Sequence, residues 1–303
     1  MSATTSHSVG LHDRPLAGIL HMAGGAAALS GIDIVSKFVV ADIPVVQMLA
    51  LRAFFVMVLL APFFRRHGGL ALFRSRRVGA HLLRLACMLV SIVAFFQALS
   101  MLPLAMVVSL GFTAPLFVTA LSVPVLGERV GIHRWAAVIL GFVGTLIIVK
   151  PGPEGLSLVA ILPVVAAFGW ATAQLIVRRL AATESDATIL IYLNTGLMIG
   201  LGLAAPFVWT PAAPETLGLC VVLGVLMIAA QWLMLRAARF APIALVTPFQ
   251  YLELPLAVLF GWLLWSEWPG SHVLAGAALI VASGLYVVLR ERRRVAAARA
   301  TAT

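Results

Sequence analysis

Residues 102–128 read LPLAMVVSLGFTAPLFVTALSVPVLGE, and residues 241–267 read APIALVTPFQYLELPLAVLFGWLLWSE. Each stretch is apolar over the roughly 20 residues that a helix needs to cross a bilayer. Each has a proline at its second position, another near its middle and a glutamate at its end. Leu102-Pro103-Leu104-Ala105 matches Ala241-Pro242-Ile243-Ala244, Glu128 matches Glu267 and His133 matches His272, all at one offset of 139 residues (128 to 267). The chain therefore carries an internal repeat, which has to be recognised before any other reading of the fold. Pro115 and Pro255 miss the offset by one position, so the register inside these two segments stays open.

Outward from the two stretches, apolar runs broken by Pro, Gly or charge predict ten helices, near 17–41, 44–64, 79–100, 103–126, 132–150, 156–177, 187–209, 215–236, 242–265 and 270–290. The expected fold is an all-α integral membrane protein of two five-helix repeats, 17–150 and 156–290, with 1–16 and 291–303 as cytoplasmic tails. Five is odd, so the second repeat must be inverted relative to the first, as in carriers that alternate between two faces. Several connections are only a few residues long, which makes successive helices antiparallel neighbours.

Composition agrees with a membrane solvent. Hydrophobic residues make up 62% of the 303 and charged residues 11%, whereas a soluble domain has roughly 45–50% and about 25%. The net charge of +10 could suggest nucleic acid, but the positions of the cations explain it. Arg14, Arg65, Arg66, Arg74, Arg76, Arg77, Arg129, Arg134, Arg178, Arg179, Arg236, Arg239, Arg290, Arg292, Arg293, Arg294 and Arg299 fall at alternate helix ends or in the tails beside them, and the opposite ends carry only Lys150. By the positive-inside rule both termini lie in the cytoplasm, and no nucleic-acid partner is expected. Met1 to Pro15 lacks the apolar core of a removable signal. Cys87 and Cys220 fall in apolar runs and read as packing residues.

Motifs of soluble chemistry are missing. No phosphate-binding Gly-Lys-Ser/Thr loop, His-Glu-x-x-His or paired-Cys spacing occurs, and His21, His133 and His272 are dispersed. No metal, cofactor or enzymatic role is expected; the partners expected are a small-molecule substrate and membrane lipid.

Ionisable groups at membrane depth are costly unless paired or hydrated, so four become candidates: Asp33, Lys37, Arg52 and Glu253. Asp33 and Lys37 share a helix face. Asp33 and Arg52 each lie about eight residues, roughly 12 Å of rise, from the same helix ends, so they can meet at one level. Two readings stand: a neutral ion-pair network of Asp33, Lys37 and Arg52, or a substrate or proton site. Glu253 lies two residues before Pro255, where loosened backbone favours a solute site, with Gln250 on its face and Tyr251 beside it. Pairing with Arg52 is the alternative for Glu253. Ser109, Phe112 and Thr113 precede Pro115, Trp170 and Gln174 share a face of the sixth helix, and Gln231 is mid-helix in the eighth. As a ring they would suit an amphiphile; singly, each also suits interhelical packing. Gly24, Gly25, Gly141, Gly144, Gly196 and Gly200 read as packing positions, Glu128 and Glu267 as helix-start charges, and Arg84 as a residue that snorkels to the interface.

The run Ser109 to Pro115 continuing to Leu126-Gly127-Glu128-Arg129 resembles the end of an EamA repeat of the drug/metabolite transporter superfamily. Thr247 to Pro255 and Ser266-Glu267 form a looser second copy in which Ser266 replaces the usual Gly. Arg52 also resembles an Arg often found in the second helix of that family. The resemblance spans about residues 17–290. It implies a carrier with a central cavity lined by helices one, three, four, six, eight and nine. The expected function is export or facilitated movement of amino acids or similar amphiphilic metabolites across a bacterial inner membrane by alternating access. Exchange of anionic sugar derivatives or nucleosides is the alternative, although Lys37 and Arg52 against Asp33 and Glu253 leave no surplus positive charge. A membrane-embedded lipid or cell-wall enzyme would need a metal or phosphate constellation, and the short loops offer none.

Overall fold

A computed structural model describes residues 14–66, 69–127, 130–150 and 158–300, with backbone alone at 158, 243, 244 and 291–300. Every element in it is helical. The α-helices are α1 (Pro15–Asp42), α2 (Val45–Arg66), α3 (Val78–Met101), α4 (Leu104–Gly111), α5 (Ala114–Leu126), α6 (Ile132–Val149), α7 (Leu158–Leu180), α8 (Asp186–Ala204), α9 (Pro214–Phe240), α10 (Ile243–Val246), α11 (Glu253–Trp265) and α12 (Ser271–Ala300). Local chemistry sets many of their ends. Pro15 and Pro214 occupy first-turn positions, where a missing N–H costs nothing. The Ser185 hydroxyl accepts from the Thr188 N–H at 3.1 Å and caps α8. Gly127 and Ser266 close α5 and α11 in the left-handed region, at φ 69° and 54°. The second copy thus keeps the turn without the glycine that would make it free of strain. Beyond residue 290, where the last helix was expected to stop, α12 runs on to Ala300, through the Ala- and Arg-rich, helix-favouring run 291–300.

Among the described residues, nine helices are long and apolar enough to cross a membrane, counting Leu104–Leu126 as one. Of the ten expected segments, 242–265 is the one outside that count. It runs as α10, a 3-10 turn over Thr247–Leu252, and α11. Its counterpart is interrupted too, between α4 and α5 at Phe112-Thr113. The register left open by the prolines is resolved by these boundaries. α5 and α11 start at Ala114 and Glu253 and end at Leu126 and Trp265, and α6 and α12 start at Ile132 and Ser271, all 139 apart (114 to 253). Pro115 and Pro255 are the second and third residues of their half-helices, and both fall in the first turn, which tolerates proline. The repeat is therefore in phase, and only the proline slides.

The most extensive helix contacts join the two halves: α1 with α9, α3 with α7, α6 with α12 and α2 with α8. The 139-residue repeat takes α1 to α7 and α9 to α3, so it exchanges the first two pairs and maps α2–α8 and α6–α12 onto themselves. Close approach comes from small residues, because lipid-facing helices gain association mainly from packing. A Cβ on Gly144 would lie 2.7 Å from the Gly276 carbonyl oxygen, and one on Gly25 would lie 2.8 Å from Met234. Large apolar side chains such as Phe54, Ile132, Leu203 and Phe207 stay exposed, as a lipid-facing surface requires.

The main buried cluster, with Met48, Leu49, Leu99, Leu104 and Leu223, lies towards the end remote from the arginines. That end is also tied by polar contacts. Gln47 exchanges bonds with the Thr210 backbone at 2.8 and 2.9 Å, and Thr216 donates to Asp42 at 2.9 Å.

Candidate functional site

Two interrupted helices supply the centre of the molecule. On the first, Ser109 is 2% exposed and donates to the Ala105 carbonyl at 2.6 Å, and Thr113 is fully buried and donates to the Leu110 carbonyl at 2.7 Å. Both hydroxyls are thus bonded to their own helix, in the back-bonding that Ser and Thr favour near bends. Phe112, between them, closes α4. The equivalent position in the second repeat, 139 further on, is Tyr251, and the two rings stack with centroids 4.9 Å apart at 29°. The breaks therefore meet face to face through repeat-related aromatic residues. Gly284 of α12 leaves space for the Tyr251 hydroxyl, which a Cβ there would overlap. Gln250 lies in the same 3-10 turn, half-buried, and its side chain makes no hydrogen bond among the described residues.

Beside this stack lie three charged side chains from three helices. Asp33 of α1 and Arg52 of α2 are each 6% exposed and act on each other electrostatically. Glu253, at the start of α11, acts on Asp33 in the same way. None of the three forms an ion pair within 4 Å among the described residues; Asp33 Oδ2, Arg52 Nη1 and the hydroxyls of Ser30 and Ser36 have no hydrogen-bond partner there. The Arg52 guanidinium lies over the Phe96 ring, 4.8 Å from its centroid, a favourable cation–π placement. Buried polar atoms are nearly always paired, so unpaired ones of opposite character on neighbouring helices mark a place where something else can bind.

Lys37 does not join this group, contrary to the expected Asp33–Lys37–Arg52 network. Its ammonium donates to both Glu267 oxygens at 2.6 and 2.8 Å and to the Leu102 carbonyl at 3.1 Å. Glu267 Oε2 also accepts from the Leu104 N–H at 3.0 Å. Glu267 thus caps α4 of the other half, whereas the sequence suggested the start of α12. The left-handed turn at Ser266 reverses the chain, and the Glu267 N–H bonds to the Gly261 carbonyl at 3.0 Å. The three ammonium donors of Lys37 are thus all used by the two Glu267 oxygens and the Leu102 carbonyl, which leaves none for Asp33. Glu128 and Arg129 lie outside the described residues.

Trp170, Gln174 and Gln231 are exposed. On α7 the first two sit beside the face that packs on α3, where Ser91 donates to the Ala166 carbonyl at 2.7 Å. Gln231 follows Gly224 by two turns on α9, and Gly224 packs on Phe55 of α2. No hydrogen bond or ring contact joins these three to the Phe112–Tyr251 stack among the described residues. Arg84 does not snorkel: it is 7% exposed, donates to the Ile189 carbonyl at 2.7 Å, and has nearby His81 stacked on Tyr192 at 4.1 Å.

A crevice of about 770 Å³ opens between α4, α11 and α12, lined by Ser109, Pro255, Leu259, Trp262, Val273 and Leu285 among others. Its single hydroxyl is already bonded and the rest of its lining is apolar apart from the indoles of Trp262 and Trp268, so it offers an amphiphile few polar anchors. Sequence reasoning missed Phe96, Ser30, Ser36 and Gly284, which carry no local motif. The Phe112–Tyr251 relation was available from the 139-residue offset.

Comparison with known proteins adds to this geometry. The model of the EamA-like transporter family matches residues 16–150 and again 157–289. A riboflavin transporter of Rhizobium johnstonii is 34% identical over 286 residues, 93% of this chain and 94% of that protein. An S-adenosylmethionine uptake transporter of Rickettsia felis is 26% identical over 265 residues, 87% and 90% of the two chains. One solved crystal structure is similar in fold, with a TM-score of 0.58 at 18% identity, over 92% of this chain and 96% of the other.

Proposed function

From its membership of the EamA-like transporter family, to which this chain belongs through both halves, we propose that it carries riboflavin, or a flat heteroaromatic metabolite like it, across the bacterial inner membrane. As a multi-pass membrane protein of that family it transports a small metabolite and is not an enzyme. The observation that carries the substrate reading is the meeting of the two helix breaks at the Phe112–Tyr251 stack, beside Asp33, Arg52 and Glu253. A flat ring suits a stacked aromatic pair, which favours offset or edge contacts about 4.5–7 Å between centroids. Polar edges of the solute suit the charged side chains alongside. The relative at 34% identity named for riboflavin favours this over the amino acids suggested by family resemblance alone.

The mechanism follows from the repeat. Ten segments in two five-segment halves, with both termini on the arginine-rich side, place the second half upside down and the axis relating the halves in the membrane plane. Rocking one half against the other about the paired breaks would expose the solute to each side in turn. The two sides are not equivalent. The Lys37–Glu267–Leu104 contacts and the Gln47–Thr210 bonds close the arginine-poor end, so the cavity would open first towards the cytoplasm.

The test is flux of labelled riboflavin into proteoliposomes holding the purified protein. We expect uptake above empty vesicles that unlabelled riboflavin suppresses, and a drop of roughly tenfold in Phe112→Ala and Tyr251→Ala at normal insertion, given about 0.5–1.5 kcal/mol for an aromatic contact beyond its area burial. Leucine or glutamate flux without riboflavin flux would return the reading to amino acids.

A further inference from the structure

We infer that Asp33 and Arg52 together read one uncharged edge of the solute ring, an N–H flanked by ring carbonyl groups, as in the cyclic imide of a flavin. This rests on the riboflavin reading and assigns the residues that would enforce it. A carboxylate only accepts hydrogen bonds and a guanidinium only donates them. Both side chains here are more than nine-tenths buried, and Asp33 Oδ2 and Arg52 Nη1 lack a partner among the described residues. They are near enough to interact electrostatically but are not in contact within 4 Å. An acceptor and a donor left unpaired on neighbouring helices can be bridged by a group that presents a donor to one and an acceptor to the other. A ring N–H next to a ring carbonyl does so with no net charge.

Two further features narrow the class. Phe96 lies beneath the Arg52 guanidinium, which holds that plane in place and leaves its edge free to donate. Glu253 acts on Asp33, so two carboxyl groups and one guanidinium lie together and leave no surplus positive charge to hold an anionic ring edge. The site should therefore take a neutral ring edge. A zwitterionic aliphatic amino acid could bridge the same pair with its ammonium and carboxylate, but it has no flat surface for the Phe112–Tyr251 stack.

Quenching of flavin fluorescence by the purified protein in lipid nanodiscs decides the matter, using riboflavin and N3-methylriboflavin. The wild type should bind riboflavin about tenfold or more tighter than the N3-methyl form, the effect of a hydrogen bond to a charged group. Asp33→Asn keeps an acceptor but loses the charge, so discrimination against the N3-methyl form should shrink to a few-fold. Asp33→Ala should abolish it. Should Asp33→Ala fail to fold, the ligand series on the wild type still decides. Equal binding of riboflavin and N3-methylriboflavin by the wild type, or undiminished discrimination in Asp33→Asn, overturns the edge reading while riboflavin flux leaves the transport reading standing. No riboflavin binding at all overturns both.

Discussion

Removing the charge of Glu267 tests the latch that joins α1, α4 and the turn before α12. The Glu267 side chain is 24% exposed and that of Lys37 10%, so solvent screens the pair only in part. Deleting one partner of a buried pair costs about 3–5 kcal/mol; at the edge of the membrane, partly wet, about 2 kcal/mol is the reasonable share. Glu267→Gln keeps an oxygen that can accept from the Leu104 N–H, so it isolates the lost charge. Glu267→Ala also removes the cap, about 1 kcal/mol more, for about 3 kcal/mol in total. A loss of about 2 kcal/mol changes the folded-to-unfolded ratio by roughly 30-fold. The assay is heat or denaturant unfolding of the purified protein in detergent, followed by tryptophan fluorescence. Lys37→Met alone should resemble Glu267→Gln. The pair Lys37→Met/Glu267→Gln should recover most of the loss, because no uncompensated charge remains. Single variants at wild-type stability, or losses that simply add in the double variant, would show that the contact contributes nothing and refute the reasoning.

Gly284→Ala should displace Tyr251, whose hydroxyl occupies the space a Cβ would take, and lower riboflavin flux at least severalfold. Tyr251→Phe added to it should restore part of the flux, and no difference between the single and double variants would count against the contact. For orientation, a cysteine at Arg74 should be shielded from a membrane-impermeant thiol reagent in intact cells, and one at exposed Ala213, between α8 and α9, should react. Labelling at position 74 from outside would reverse the proposed topology.

Membrane class, the apolar segments and the 139-residue repeat were legible in the amino-acid sequence, because each depends on composition or period over tens of residues. So was the family, since the match covers both halves. Even the pairing of Phe112 with Tyr251 lay in the offset, although no local signal said that the rings would touch. What neighbouring residues suggested was less secure. Pro255 pointed to the loosened backbone, but it sits in the first turn of α11 and the irregular stretch is Thr247–Leu252, because proline is cheap where its missing N–H has no partner to lose. Arg84 read as a snorkelling residue by its distance from the helix end, yet a carbonyl on α8 holds it inside. Lys37 had one acid four residues away and another 230 residues away, and the distant Glu267 won. Sequence spacing ranks partners on one helix, but the choice among helices depends on where the chain reverses and which carbonyls and amide groups lie within reach, and only the tertiary structure decides that.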